Sequence, residues 1–316
     1  MDNNLELSLV IPVFNGANSI GRLVDHIHHI YRHLHFEIVL INDSSSDDSE
    51  AVCLDLQEKY PDTVTFIHLS RNFGEHNAVL AGMNHAVGQY VAVLDDDGQN
   101  PPEEILKMLA VCQSEHYDVV YGHYLIKQHS WLRNLGSWFN GKMANIMLKK
   151  PKDLYLSSFK VMNRFVVDEV TQYRGAFPYI DGLVFRSTAN IGQIDVEHRG
   201  RESGGSNYTW RKLIKLWMNM FLSYSIIPLR ISSIVGIVTS FISVIFMISV
   251  FVEKWWINPD IPLGIPSILV TILFFAGIQL IILGTIGEYL GRLFLDSTGT
   301  PQYVVRYIKK KDKTAP

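Results

Sequence analysis

Along residues 5 to 122 the chain switches repeatedly between two hydrophobic periods. Short runs, LELSLVIPVF, FEIVLIND, VTFIHLS, QYVAVLD and YDVVYG, are apolar almost throughout and rich in Val and Ile, which reads as buried strands. Between them, SIGRLVDHIHHIYRHL, DSEAVCLDLQEKY, EHNAVLAGMNHAV and PEEILKMLAVCQSE have the period of helices with a buried face. Strand and helix in alternation predict an α/β domain with a Rossmann-like, mostly parallel sheet covered by helices on both faces. Sites in such sheets form beyond the carboxyl ends of the strands. The residues expected there are Phe14-Asn15, Asn42-Asp43, Ser70-Arg71-Asn72 and Asp95 to Asp97.

The pattern then changes. WRKLIKLWMNMFLSYS sets Arg211, Lys215, Asn219 and Ser223 on one stripe, with Lys212 beside it and a broad apolar face opposite. A helix of that kind suits a membrane interface. Residues 231–252 and 263–287 are apolar runs near the roughly 20 residues that a bilayer core requires. Trp255 and Trp256 in the short connection are placed as interfacial anchors. Arg211, Lys212, Lys215 and Arg230 precede the first run, and Arg292, Arg306 and Lys309 to Lys311 follow the second, whereas the connection has only Lys254. The positive-inside rule therefore puts both termini in the cytoplasm. The expected organisation is a cytosolic domain over 1–208, an interfacial helix over 209–228, transmembrane helices over 231–252 and 263–287, and a cytosolic tail over 288–316. Such a chain is a multi-pass protein of the cytoplasmic (inner) membrane.

Composition adds three exclusions. The chain is 47% hydrophobic and 19% charged, and the apolar excess sits in the last third. A net charge of -3 argues against nucleic acid as a partner. Cys53 and Cys112 have neither metal-site nor disulfide-framework spacing. The opening MDNNLELSLVIPVF lacks a basic n-region and reads as the approach to the first strand rather than a signal peptide.

The stretch VLDDDGQNPPEE carries the chemistry. If strand alternation continues, Asp95 and Asp97 share one side and Asp96 takes the other. Two carboxylates on one side repel unless a hard cation lies between them, and Gln99 adds an amide oxygen. Mg2+ or Mn2+ fits these donors and leaves positions for substrate phosphates. The alternative, acids that only cap the helix beginning at Pro101-Pro102, accounts for one carboxylate rather than three.

This run resembles the D-x-D-x-Q-x-P-P-E signature of the family-2 glycosyltransferases with a GT-A fold that load sugars onto polyprenyl phosphates. VIPVFN, INDSSSDDS, LSRNFGEHNAVLAG, RESGGSNY and GEYLGRLF match further family segments in order, and the likeness spans nearly the whole chain. The undecaprenyl-phosphate aminoarabinose and glucose transferases and dolichol-phosphate mannose synthase are the members it is most similar to. The resemblance implies that Pro12, Phe14 and Asp43 line a nucleotide-base pocket with Arg71 near it. It implies that Asp95 and Asp96 bind the nucleotide sugar and that Asp97 and Gln99, with Asp95, hold the metal. Arg201, Ser206 and Tyr208 are expected at the acceptor phosphate. The implied partners are a nucleotide-sugar donor, a polyprenyl phosphate in the membrane, and further copies of the chain in a tetramer.

Five departures qualify that likeness. Phe14 stands where the family usually has Tyr, Gly16 where it has Glu, Glu75 where it commonly has Lys, and Asn207 where a cation is usual. Ser158, with Lys160 two residues on, replaces the Asp usually credited as base or acceptor-positioning residue. A phosphate monoester has a second pKa near 6, so a polyprenyl phosphate is already nucleophilic at neutral pH and transfer survives without that Asp. Ser158 and Lys160 remain candidates at the catalytic step, Lys160 either as an acceptor-phosphate ligand or as an ordinary surface cation. Two other functions stay open: a processive polysaccharide synthase, and a non-catalytic membrane scaffold descended from such an enzyme.

Overall fold

The computed structural model describes residues 5–124, 154–197, 234–239 and 264–311, with a few single positions between 241 and 256. In chain order the elements are β1 (Leu7–Val13), α1 (Ile20–Ile30), β2 (Phe36–Asn42), α2 (Ser49–Lys59), β3 (Val64–Leu69), α3 (Glu75–Met83), β4 (Tyr90–Val93), α4 (Pro102–Ser114) and β5 (Val119–Tyr124). After the undescribed stretch come β6 (Lys160–Asn163), α5 (Arg164–Thr171), α6 (Ile180–Ser187), β7 (Ile191–Val196), α7 (Ile265–Ser297) and β8 (Val305–Lys309). One compact unit comprises residues 1–210 and 299–316, and a second comprises 211–298.

The first unit is built on an eight-stranded sheet ordered β7-β5-β6-β4-β1-β2-β3-β8. Strands β4, β1, β2 and β3 are parallel neighbours, and β5 and β7 form a second parallel pair. The five strands read from the apolar runs are all present, and the sheet is mostly parallel as expected. Two further strands are antiparallel. β6 wedges between β4 and β5, and β8 closes the far edge against β3. The last of these corrects the reading of 288–316 as a tail, since its VRYIK stretch is a sheet strand.

Central strands β1, β2 and β3 are buried along almost their whole length, which explains their runs of Leu, Val and Ile. Each fully buried side chain of that kind contributes roughly 1.5–3 kcal/mol. Ser8, Glu37, Asn42, Thr65 and His68 are the buried polar exceptions, and the first two pair with each other. Ser8 Oγ donates to Glu37 Oε1 at 2.6 Å, and the pair accepts the Gly88 and Val87 amides. A buried polar pair on the two central strands thus fixes the entry to β4, and with it the position of Asp95 to Asp97. Helix α4 begins with Pro102 and carries Glu103 and Glu104 in its first turn, favourable for its dipole. Those two acids serve α4, and Asp95 to Asp97 lie upstream of it, so capping does not account for the aspartates.

In the second unit, α7 runs ten residues past the expected end of the second span. Its stretch Phe274–Ser297 is long and apolar enough to cross a membrane, by length and composition. Residues 234–239 are helical. The rest of the 231–252 run is described only at single positions, and the interfacial helix over 209–228 lies outside the described residues.

Candidate active site

The carboxyl ends of β1 and β2 are tied together by a dense set of hydrogen bonds. Asn15 adopts a left-handed backbone (φ 57), as does Ser44 (φ 54), which non-glycine residues rarely do. Both are held there. The Asn15 amide donates to Ser45 Oγ at 3.0 Å, and Asn15 Oδ1 accepts the Ser46 amide at 2.9 Å. Ser45 in turn donates to Asn42 Oδ1 at 2.7 Å, and Asp47 accepts the Ala17 amide at 3.1 Å. Phe14, 47% exposed, presents its ring at this end, beside the half-buried Pro12. An exposed aromatic on a fixed backbone is a stacking surface for a planar base.

Asp43, the third residue expected at the base pocket, is engaged with the backbone. It is buried, and its two oxygens accept the Phe73 and Gly74 amides at 2.7 and 2.8 Å. Burial pushes its pKa up against those two hydrogen bonds. Its work is to anchor the loop that starts α3, where Gly74 takes a positive φ of 94. Arg71 lies on the same loop, exposed, with its guanidinium 4.7 Å from the Phe73 ring.

At the end of β4 the strand stops at Val93, so Asp95 to Asp97 occupy a turn and strand alternation does not govern them. Each meets a different partner. Asp95 Oδ2 accepts Ser158 Oγ at 2.7 Å and Asn100 Nδ2 at 3.2 Å. Asp96 Oδ2 accepts the Phe14 amide at 3.1 Å. Gly16 permits this, because a Cβ there would run into the Asp96 carboxylate. Asp97 Oδ1 accepts the Gln99 amide at 3.1 Å across the turn made by Gly98 (φ 73).

Lys160 is not a surface cation. It is buried at the start of β6, ion-paired with Asp181 of α6 and 5.0 Å from the Tyr121 ring, while Tyr121 donates to Asp181 at 2.9 Å. A charge committed to a buried carboxylate is poorly placed to take a phosphate.

Charge accumulates here. Burial pushes the pKa of Asp96 up to about 7, and the Asp97 and Asp95 charges add to it against the Phe14 amide. Asp95 is raised by burial and by Asp97, opposed by Ser158 and Asn100. Glu75, exposed at the start of α3, is raised to about 7 by partial desolvation and then by the charge of Asp95. Beside it, burial lowers His76 to about 4, so the imidazole packing edge-on against Tyr179 at 5.0 Å is neutral.

Comparison with known proteins decides what this arrangement belongs to. The family model described as Glycosyl transferase family 2 matches residues 8–171, just over half the chain. The chain is 31% identical to an undecaprenyl-phosphate 4-deoxy-4-formamido-L-arabinose transferase of Proteus mirabilis, over 98% of this chain and 96% of that protein. The protein of the same name from Serratia proteamaculans is 31% identical over 96% and 94%. This chain belongs to glycosyltransferase family 2. Among solved structures it is similar to glucosyl-3-phosphoglycerate synthase of Mycobacterium tuberculosis in complex with Mn2+, UDP-glucose and phosphoglyceric acid. The TM-score is 0.52 at 14% identity, covering 68% of this chain and 79% of that one. Mannosyl-3-phosphoglycerate synthase of Rubrobacter xylanophilus gives 0.50 at 15% identity, over 68% and 71%. At such identity these neighbours speak for the fold alone, which is the GT-A fold.

The glycosyltransferase has donors of the type a hard divalent cation takes: the carboxylates of Asp95 and Asp97 and the side-chain amide oxygen of Gln99 fall within five consecutive residues. No cluster of three or more His, Cys, Asp or Glu side chains suited to a metal occurs among the described residues. A cation there would take its remaining ligands from phosphate and water, as Mg2+ and Mn2+ do. Arg201, Ser206 and Tyr208 lie outside the described residues. Sequence reasoning missed Asn100, which is buried and joins Tyr124 to Asp95 through a 2.7 Å hydrogen bond from the Tyr124 hydroxyl. It also missed Asp181; Asn100 stood inside the quoted motif, but nothing local marked Asp181.

Proposed function

We propose that this glycosyltransferase moves one sugar from a UDP-linked donor to a polyprenyl phosphate, undecaprenyl phosphate in a bacterial envelope, with inversion at the anomeric carbon. The product would serve envelope polysaccharide or lipopolysaccharide modification. The observation that carries this reading is that the likeness to the undecaprenyl-phosphate transferases covers 98% of the chain, far beyond the family domain and through the apolar region. A likeness confined to the head would speak for the fold and the donor only.

The site supports a concrete division of labour. Phe14 offers the base a stacking face on a backbone fixed by Asn15, Ser45 and Ser46. Asp97 and Gln99, with Asp95, would hold the cation, whose chemistry is to neutralise the leaving nucleoside diphosphate. Ser158 donates to Asp95, so it acts on the orientation of that carboxylate rather than as a base. The acceptor phosphate, largely dianionic at neutral pH, attacks the anomeric carbon from the face opposite the diphosphate. The scaffold alternative is weakened by the acidic end itself, because stacked, partly desolvated carboxylates lower stability unless a ligand offsets them.

Connectivity supports an even number of membrane crossings. β8 is hydrogen-bonded to β3, and Gln302 Nε2 donates to the Tyr173 and Gly175 carbonyls at 2.8 and 2.9 Å. The chain that leaves the head after Trp210 therefore rejoins it by Gly299. A head on one face of a bilayer can be left and rejoined only by paired crossings. With Phe274–Ser297 as one crossing, the apolar run 231–252 is the natural second, and both termini stay with the head on the cytoplasmic side.

The test is product formation by the full chain in detergent, from a panel of UDP-sugars and a short-chain polyprenyl phosphate, with Mn2+ or with chelator. Lipid-linked sugar that disappears with chelator is expected. Donor hydrolysis with no lipid product would refute the acceptor assignment. Particle mass in the same preparation tests the homo-oligomer implied by the family resemblance.

A further inference from the structure

Asn100 follows the acidic turn and stands before Pro101 and Pro102, whose rings fix the backbone that enters α4. That entry is held by a second restraint. The buried Tyr31, at the C-terminal end of α1, donates its hydroxyl to the Pro102 carbonyl at 2.6 Å. From this base the Asn100 side chain, 1% exposed, uses both ends of its amide. Nδ2 donates to Asp95 Oδ2 at 3.2 Å, and Oδ1 accepts the Tyr124 hydroxyl at 2.7 Å. Tyr124 is the last residue of β5, in register with Val196 of β7, and its ring meets Tyr155 edge-on at 5.8 Å.

An ionised carboxylate only accepts, so the NH2 end of the amide must face Asp95, and the amide oxygen then requires a donor. The Tyr124 hydroxyl is that donor. Reversing the amide would bring two acceptors together at Asp95. Ser158 reaches the same carboxylate oxygen from the approach to β6, its Oγ 2.7 Å from Oδ2. Donors from two elements therefore hold one oxygen of Asp95, and Oδ1 accepts no hydrogen bond among the described residues. If the turn required only filling, an apolar side chain would do so without burying an amide.

We propose that Asn100 is a positioning residue: with its amide oriented by the Tyr124 hydroxyl, it holds Asp95 through Oδ2 and leaves Oδ1 to the cation. This rests on the metal-assisted, nucleotide-sugar reading above and deepens it. Asn100 acts through Asp95, and Tyr124 acts through Asn100. Loss of either group weakens the hold of the cation on the diphosphate and leaves recognition of the base as it was.

The experiment measures UDP affinity of the full chain in detergent, at a fixed subsaturating Mn2+ concentration and with chelator. Wild type, Asn100→Ala, Tyr124→Phe and the double variant are compared, and the ratio of the two affinities is the gain due to the cation. Asn100→Ala should cut that gain about tenfold, as expected for a group that orients a metal-binding side chain, with metal-free affinity nearly unchanged. Tyr124→Phe keeps the ring, loses only the hydroxyl, and should cut the gain about threefold. The double variant should fall no further than Asn100→Ala, because Tyr124 acts through the amide. An unaltered gain in Asn100→Ala would overturn this inference alone, and so would an equal loss in metal-free binding, which a merely structural role produces. Additive losses in the double variant would overturn the link from Tyr124. Should Asn100→Ala fail to fold, Tyr124→Phe decides, and a gain equal to wild type overturns the inference. A wild-type protein with no Mn2+-dependent UDP affinity would overturn the functional reading and this inference with it.

Discussion

Two loop clusters at the carboxyl end of the sheet solve opposite problems. At the carboxyl ends of β1 and β2, Asn15, Ser45, Ser46 and Asp47 satisfy one another and the backbone, and the loops are complete without a ligand. At the end of β4, burial and neighbouring carboxylates raise the proton affinities of Asp95, Asp96 and Glu75. The first end is organised in advance, which lowers the entropy lost on binding. The second is held in a state that a cation and a substrate relieve. Recognition of a base requires shape, whereas departure of a diphosphate requires charge, and the two ends divide along that line.

The comparison breaks most visibly at Asp97. Asp97→Ala should abolish Mn2+-dependent UDP binding and lower transfer by on the order of 10³, because charge stabilisation of the leaving group is lost. Titration of UDP with and without Mn2+ checks it, and unchanged Mn2+-dependent affinity would remove Asp97 from the metal site. Ser158 probes the same end through its hydrogen bond to Asp95. Ser158→Asp replaces a donor to Asp95 with a fifth like charge, and should slow transfer by roughly 10- to 100-fold. Ser158→Ala should cost only a few fold, about the worth of one neutral-donor hydrogen bond. A rate series in detergent over these variants reads the order. Ser158→Ala falling as far as Asp97→Ala would make Ser158 a direct participant.

Asn15 tests the organised end. Asn15→Ala removes the side-chain acceptor for Ser46 and leaves a residue that adopts positive φ poorly, so it should destabilise the protein by about 1–2 kcal/mol. UDP should bind more weakly even in the absence of metal. Asn15→Gly relieves the backbone and should recover part of the stability but not the hydrogen bonds. Thermal denaturation and metal-free UDP binding measure both. Equal UDP affinity across the series would mean that preorganisation of this loop contributes nothing to recognition.

Much of this is legible in the sequence, and the reasons are physical. Strands β1 to β5 are visible because each is a continuous apolar run beside helical periods. The acids Asp95 to Asp97 are visible because the whole turn is local. β8 is not, since VRYIK becomes a strand only by pairing with β3, more than two hundred residues away, and its Arg306 and Lys309 fit a membrane flank equally well. Short β6 is hidden in the same way, as its Lys160 looks like a surface cation until the topology sets Asp181 and Tyr121 beside it. Asp43 is legible as a strand-end residue, but which backbone groups its oxygens hold depends on the loop after β3.

The same substitution, Asp to Asn, should act with opposite sign at the two ends. The folded-state pKa of Asp96 is raised to about 7, above the unfolded value of 3.8, so the native state binds its proton more tightly. By linkage, stability from that group is present at low pH and is lost as pH rises from about 4 through about 7. The amide introduced by Asp96→Asn mimics the neutral form and can still accept the Phe14 N–H. In metal-free buffer Asp96→Asn should therefore be more stable than wild type at pH 8, with the gap closing by pH 5. Asp47 is the reverse case: burial raises its pKa, but the Ser49 hydroxyl and the Ala17 and Ser49 amides outweigh it and hold the carboxyl below 3.8. Its contribution is present at neutral pH and is lost as pH falls through that depressed value. Asp47→Asn should then be less stable than wild type at pH 8 and approach it only in acid. Asp47 is exposed, so screening keeps its effect the smaller of the two. Each kcal/mol moves the melting temperature by roughly 2–4 °C in a domain of this size, within reach of thermal scans at matched salt. Two variants shifted in the same direction at pH 8 would mean that the acidic end is as satisfied without ligands as the base end, and the contrast between them would fall.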